Sequence, residues 1–176
     1  PHCMGTLFWQ LNDVRAGPSW STVDHTGTWK AAMYEVSRCY APTVLDVSIS
    51  GDSIIARIWN ERQDLKKAQV LFQVIGTDGT VVLSDSNRIM MGQGEREEFA
   101  EPIAILLGKG AADHHVVRVA LQDGAGVVLA ERMLPFKRMG EMAWQKAAIR
   151  IDRIATSDGV TTYRVFSCTS IGSLRA

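Results

Sequence analysis

The chain has 176 residues, 46% of them apolar, with nineteen basic and nineteen acidic side chains and a formal charge of zero. That length and composition suit one globular domain with attached pieces and supply enough apolar surface for a sizeable core. The neutral balance excludes a long-range pull toward nucleic acid or an anionic membrane, and no apolar run approaches the roughly eighteen residues of a bilayer span.

The first predicted element is Leu7 to Leu11, a short apolar run with the character of a fully buried strand. It ends at Asn12 and Asp13, where a strand leaves a core and its side chains reach solvent. A loop with Trp20, Ser21, Asp24 and Gly27 follows, and Trp29 to Tyr34 has helical spacing of large apolar groups. A lone strand, loop and helix cannot bury both faces of the strand, because parallel strands need neighbours and covering helices. The missing neighbours are expected upstream. Ala41-Pro42 closes this unit, since proline lacks the amide a helix needs and pushes the residue before it toward extended chain.

From about Thr43 to Phe136 the chain reads as all β. Val44 to Ser50 and Ile54 to Trp59 flank Gly51-Asp52 as a hairpin, and Lys67 to Ile75 and Thr80 to Leu83 flank Thr77-Asp78-Gly79. Glu95 to Ile105 follows the turn at Gly92 to Gly94, and His115 to Leu121 and Val127 to Met133 flank Asp123-Gly124-Ala125-Gly126. Seven short strands with turns at this spacing predict an antiparallel sandwich of immunoglobulin type. Both faces of the His115 to Leu121 strand are partly apolar, so its outer face is either covered by a neighbouring domain or carries ordinary exposed valines. Beyond Lys137, Ile149 and Ile151 suggest a strand that breaks phase before Ile154, Ser157-Asp158-Gly159 a turn, and Thr162 to Ser167 a second strand. Two strands are marginal alone, so they predict either a partial second β domain or a hairpin docked on the first.

Cys3, Cys39 and Cys168 are odd in number, far apart and without C-x-x-C spacing. They fit buried free thiols better than a disulfide scaffold or a zinc site. His2, His25, His114 and His115 form no metal pattern with the acids, and adjacent His114 and His115 in a strand point to opposite faces. Gly92-Gln93-Gly94 is followed by no helix and is not a nucleotide fingerprint. No cofactor or metal is expected.

The opening residues carry a family resemblance. Gly5-Thr6-Leu7-Phe8-Trp9-Gln10-Leu11-Asn12-Asp13, Ser19-Trp20-Ser21, Asp24, Gly27-Thr28-Trp29-Lys30-Ala31 and Tyr34 are similar to the end of the catalytic barrel in the β-mannosidase branch of glycoside hydrolase family 2. There the pattern runs approximately GTLYWQLND-x-WP-x-x-SWS-x-x-D-x-x-GRWKA-x-x-Y. The resemblance implies three parts: residues 1–41 as the last strand and helix of a (β/α)8 barrel, 42–136 as an immunoglobulin-like sandwich, and 137–176 as the incomplete start of a C-terminal β domain. The expected fold class is therefore mainly β with a barrel remnant at its start.

Retaining glycoside hydrolysis needs two carboxyl groups about 5 Å apart. In this segment only Asp13, Asp24 and Glu35 are acidic. Asp13 at a barrel strand end would be a catalytic candidate by position. The resemblance implies instead that the catalytic glutamates come from the fourth and seventh strands, which this chain lacks. No catalytic residue is assigned, and Asp13 is expected to accept hydrogen bonds from the loop after it or from a sugar hydroxyl.

Trp9, Asn12 and Asp13 are the candidate substrate-binding residues of the intact parent enzyme. Trp9 is either a platform for a pyranose ring, as the resemblance implies, or one of the interior residues. Trp20, Trp29 and Tyr34 are expected to pack. Arg15-Ala16 and His25-Thr26 stand where the family has Trp-Pro and an aromatic pair, which affects substrate contacts more than the fold.

The resemblance implies a parent enzyme acting on terminal β-D-mannosyl residues, with a β-mannoside-containing oligosaccharide and the rest of the barrel as partners. The chain by itself is expected to be inactive and open to self-association through its orphan strand. A non-catalytic carbohydrate-binding or protein-interaction sandwich is the alternative, and Trp59 is the only tryptophan of the sandwich segment. An independent small enzyme would need a convergent pair or triad, and the sequence offers none.

Overall fold

The computed structural model describes residues 5–61, 64–145, 149–157 and 160–167. Its centre is a two-layer antiparallel sandwich. Strands β1 (Thr43–Ser50), β2 (Ser53–Asn60) and β5 (Glu95–Pro102) form one sheet in the order β1-β2-β5. Strands β3 (Leu65–Gly76), β4 (Val81–Met91), β6 (His115–Gln122) and β7 (Val128–Pro135) form the other in the order β4-β3-β6-β7. The seven expected strands are thus all present.

The turns form as their residues dictate. Gly79 takes φ +87°, which a side chain would strain, and the Asp78 carboxylate accepts the Thr80 amide at 2.9 Å. Between β6 and β7, the Asp123 carboxylate accepts the amides of Ala125 and Val127 at 2.8 and 2.9 Å. Alternation along the strands then sends Ile54, Ala56 and Ile58, Val70, Phe72 and Val74, and Val117, Val119 and Leu121 into the space between the sheets.

The outer face of β6 is closed as well. Val116 and Ala120 are buried, and Arg118 between them donates to Gln73 at 2.8 Å and to Glu131 at 2.6 Å. The second apolar stripe of this strand is therefore not a row of ordinary exposed valines.

Several boundaries differ from the expectation. β4 continues to Met91 instead of stopping at Leu83, because β3 pairs with it as far as Leu65. Its polar Ser84-Asp85-Ser86 stretch is tolerated on an exposed edge strand. β5 ends at Pro102, and Ile103–Leu107 turns into a short helix, α2, whose Leu106 joins the core. The helix near the start, α1, spans Ala31–Cys39 instead of Trp29 to Tyr34, and none of its residues is buried. It ends at Cys39, and after a turn at Tyr40 the chain becomes extended at Thr43, just past Pro42.

The largest correction concerns Leu7 to Leu11. It forms no strand: among the described residues the only β pairings here are isolated bridges from Val23 to Asn12 and to Trp29. Without flanking strands the ladder is not built, and Leu7, Phe8, Trp9 and Leu11 all remain exposed. Cys39 is also corrected, being free but exposed on α1 instead of buried. Cys3, Cys168 and His2 lie outside the described residues.

Toward the end, β8 (Ile149–Ser157) and β9 (Val160–Ser167) pair as an antiparallel hairpin, whose expected turn falls partly outside the described residues. A register shift between Arg153 and Ala155 explains the phase break before Ile154. Ile149, Ile151, Tyr163 and Val165 stay exposed, so these apolar residues of the hairpin are not docked into the sandwich.

Phe72 fills the middle of the inter-sheet space at 1% exposure. Phe72→Ala is expected to destabilise the sandwich by about 3–5 kcal/mol. Val82→Ala on the exposed part of β4 is expected to change stability by less than about 0.5 kcal/mol. Urea unfolding followed by circular dichroism measures both, and a small Phe72 effect would mean that the two sheets do not pack through it.

Candidate functional site

The first 40 residues contain the expected binding residues, and polar bonds fold them into a closed loop. The Val23 amide donates to the Leu11 carbonyl at 2.8 Å, and the Asp13 amide to the Val23 carbonyl at 3.0 Å. Residues 11–13 therefore run beside 22 and 23. The Thr22 hydroxyl adds a bond to the Leu11 carbonyl at 3.0 Å, and the Lys30 amide donates to the Thr22 carbonyl at 2.9 Å. Lys30 is the residue from which α1 starts, so the loop is tied to the helix at its root.

Asp13 is the buried acid at the centre. Its carboxylate accepts the Ser19 hydroxyl on one oxygen and the Lys30 ammonium at 2.7 Å on the other. The hydrogen bond from Lys30, followed by that from Ser19, lowers its pKa from 3.8 to about 2, against the opposing effect of burial. A carboxylate so held has no proton to give at neutral pH and is a poor base. Asp13 is a structural acceptor, bonded from the loop after it as the sequence suggests.

The other two acids are also engaged. Asp24 accepts the amides of Thr26 and Thr28 at 2.8 and 2.9 Å and the Thr26 hydroxyl at 2.6 Å, and these bonds lower its pKa. Thr26, where the resembled pattern has an aromatic, is thus part of a turn. Glu35 pairs with Arg38 at 2.5 Å on its own helix and with Arg132 of β7 at 3.5 Å. Each acid of the segment serves its own structural contact.

Trp9 is 80% exposed and so is no interior residue of this structure. Asn12 is exposed, with its side-chain amide donating to the Asp13 carbonyl at 3.2 Å. Trp29 and Tyr34 pack edge-to-face on each other, with centroids 5.3 Å apart, while remaining partly exposed. Trp20 does not pack as expected: its side chain is 84% exposed between Ser19 and Ser21. The signal for it was the Ser-Trp-Ser sequence, which puts two short hydrogen-bonding groups on either side of an indole. Elsewhere, His114 bonds with Asp113 at 2.9 Å and His115 with the Ala111 carbonyl at 2.8 Å. The described residues contain no cluster of three His, Cys, Asp or Glu side chains suited to a metal ion.

Because the folded pKa of Asp13 is lowered, its contribution to stability is complete above 3.8 and is lost as pH falls through about 2. Carboxyl-carbon NMR is expected to place its titration near 2. Asp13→Asn should remove the acid-induced loosening of residues 11–23 in that window while leaving the sandwich intact. An Asp13 midpoint near 3.8 would mean that Lys30 does not hold it in solution.

No protein-family model matches the chain. A stretch of 41 residues is 49% identical to the β-mannosidase of Capra hircus, covering 23% of this chain and 5% of that protein. A stretch of 38 residues is 50% identical to a probable β-mannosidase of Caenorhabditis elegans, covering 22% of this chain and 4% of that protein. The chain thus matches only about a twentieth of the length of these relatives. In fold, 84% of the chain superposes on 18% of the β-D-mannosidase of Dictyoglomus thermophilum, with a TM-score of 0.63 and 16% identity. The exo-chitosanase of Amycolatopsis orientalis superposes on 93% of the chain with 22% of its own, at a TM-score of 0.56 and 17% identity. Local sequence likeness and broad fold likeness point the same way: a short stretch of the chain is similar in sequence to β-mannosidases, and most of the chain is similar in fold to part of a β-D-mannosidase and of an exo-chitosanase.

Proposed function

We propose that this chain supplies the end of the catalytic barrel and the following β-sandwich of a retaining glycosidase that removes terminal β-D-mannosyl residues. Residues 1–41 are the barrel end, 42–136 the sandwich and 137–176 the start of a further β domain. The observation that carries this reading is the 41-residue stretch 49% identical to a β-mannosidase. We read that stretch as the segment around Gly5 to Tyr40, which holds the GTLFWQLND, SWS and GTWKA pattern. In the assembled enzyme Trp9 offers its indole face to the C–H face of a pyranose, and Asn12 offers its side-chain amide to a hydroxyl. Asp13 acts behind them by holding the loop.

The three acids of the segment are each tied to a cation or a turn, which supports an inactive isolated chain. The purified chain is expected not to hydrolyse p-nitrophenyl β-mannoside. Turnover that follows the polypeptide through chromatography and is lost in Asp13→Ala would overturn this. The coding sequence immediately upstream is the complementary test: barrel strands ending in two glutamates support the reading, and their absence sinks it.

The uncovered stretch from Leu7 to Leu11 has a second consequence. Exposed apolar surface is worth about 25 cal/mol per Å² on burial, so this stretch favours a partner, the rest of the barrel or a second copy. Light scattering at high micromolar concentration is expected to show association of the full chain and its loss when residues 1–38 are removed. Two monomeric preparations would exclude self-association through this segment.

A further inference from the structure

The three protons of the Lys30 ammonium meet three acceptors of the loop. Its nitrogen lies 2.7 Å from Asp13 Oδ2, 2.8 Å from Ser21 Oγ and 3.1 Å from Ser19 Oγ. An ammonium has three donors and no acceptor, so this arrangement uses it completely. The serines are bonded further: the Ser21 amide donates to Ser19 Oγ at 3.1 Å, and Ser21 Oγ donates to the Val23 carbonyl at 2.9 Å. Ser19 in turn donates to Asp13.

Trp20 sits between these two pinned serines. A large indole on a free loop would collapse onto the nearest apolar surface, yet this one is 84% exposed and takes part in neither of the aromatic ring contacts among the described residues. Lys30 itself cannot yield, because its amide is bonded to Thr22 and its carbonyl accepts the Met33 amide at 2.9 Å in the first turn of α1. The side chain therefore carries the rigidity of the helix start into the loop.

We infer that Lys30 is a positioning residue that holds Trp20 outward as a second stacking platform for a pyranose ring. The inference rests on the sugar-binding reading of this segment. An indole offers a flat apolar face to sugar C–H groups, and fixing it beforehand removes the ordering cost at binding. The ligand class is a β-linked pyranoside, and the part of Lys30 is indirect, through the two serines.

The test uses the full chain labelled with nitrogen-15, with the indole N–H resonances assigned by single Trp→Phe variants and mannobiose as the probe. In the unaltered chain the Trp20 indole is expected to relax as slowly reorienting, ordered structure and to shift on addition of the disaccharide. Lys30→Met is expected to lose both properties and Lys30→Arg to retain them, with the Trp59 resonance of the sandwich unchanged as a folding control. Ser21→Ala, which removes one acceptor without deleting the cation, is expected to weaken both, and it serves if Lys30→Met disorders the whole segment. A Trp20 indole that stays ordered in Lys30→Met and Ser21→Ala, or that does not respond to mannobiose in the unaltered chain, overturns the inference. Absence of barrel strands upstream would instead sink the enzyme reading and leave this measurement standing.

Discussion

Everything else in the molecule hangs on the interlocking of β2, β3 and β6 across the space between the two sheets. Ile54, Ala56 and Ile58 face Val70, Phe72, Val74, Val117, Val119 and Leu121, and none of the nine is more than 1% exposed. A one-residue slip of any of these strands would turn its apolar set outward, so the burial also fixes the register. A polar clamp secures one end: Asn60, itself buried, accepts the Thr43 hydroxyl at 3.3 Å and donates to the Gly92 carbonyl at 3.0 Å. It ties β1, β2 and the turn between β4 and β5 together.

The amino-terminal segment obeys a different rule. It has almost no apolar interior, and α1 buries none of its residues. Directional bonds converging on Asp13 and Lys30 replace packing as the source of order. One of its links to the sandwich is likewise polar, Glu35 reaching Arg132. A segment shaped by its own hydrogen bonds, with its aromatic groups outside, is suited to presenting a surface and ill suited to standing alone.

This division explains what could be read from the sequence. Period-two alternation and Gly-containing turns located the strands of the sandwich, because each strand's environment is set by its own pattern. The end of β4 was not legible: Ser84, Asp85 and Ser86 look like loop, and only pairing with β3 makes them strand. The apolar run at Leu7 misled in the opposite direction, since its composition describes a buried strand, yet among the described residues no strand pairs with it. At the site, Asp13 as a bonded acceptor followed from its place at the end of that run. The cation that satisfies it, Lys30, lies seventeen residues away and was visible only in three dimensions. Trp20 was missed because an indole's usual fate is packing, and the serines on either side of it, though a signal, do not by themselves name the cation that anchors them.

The edge of the three-stranded sheet carries a consequence of its own. β5 presents Glu95, Glu97 and Glu98 to solvent, with Arg57 of β2 bonded to Glu98 at 2.8 Å. These carboxylates repel a like edge and keep a second molecule from extending the sheet there. Beneath them lie the backbone donors and acceptors of the edge. The guard is thus electrostatic: added salt, which screens exposed carboxylates, turns a guarded margin into an adhesive one without disturbing the apolar interior.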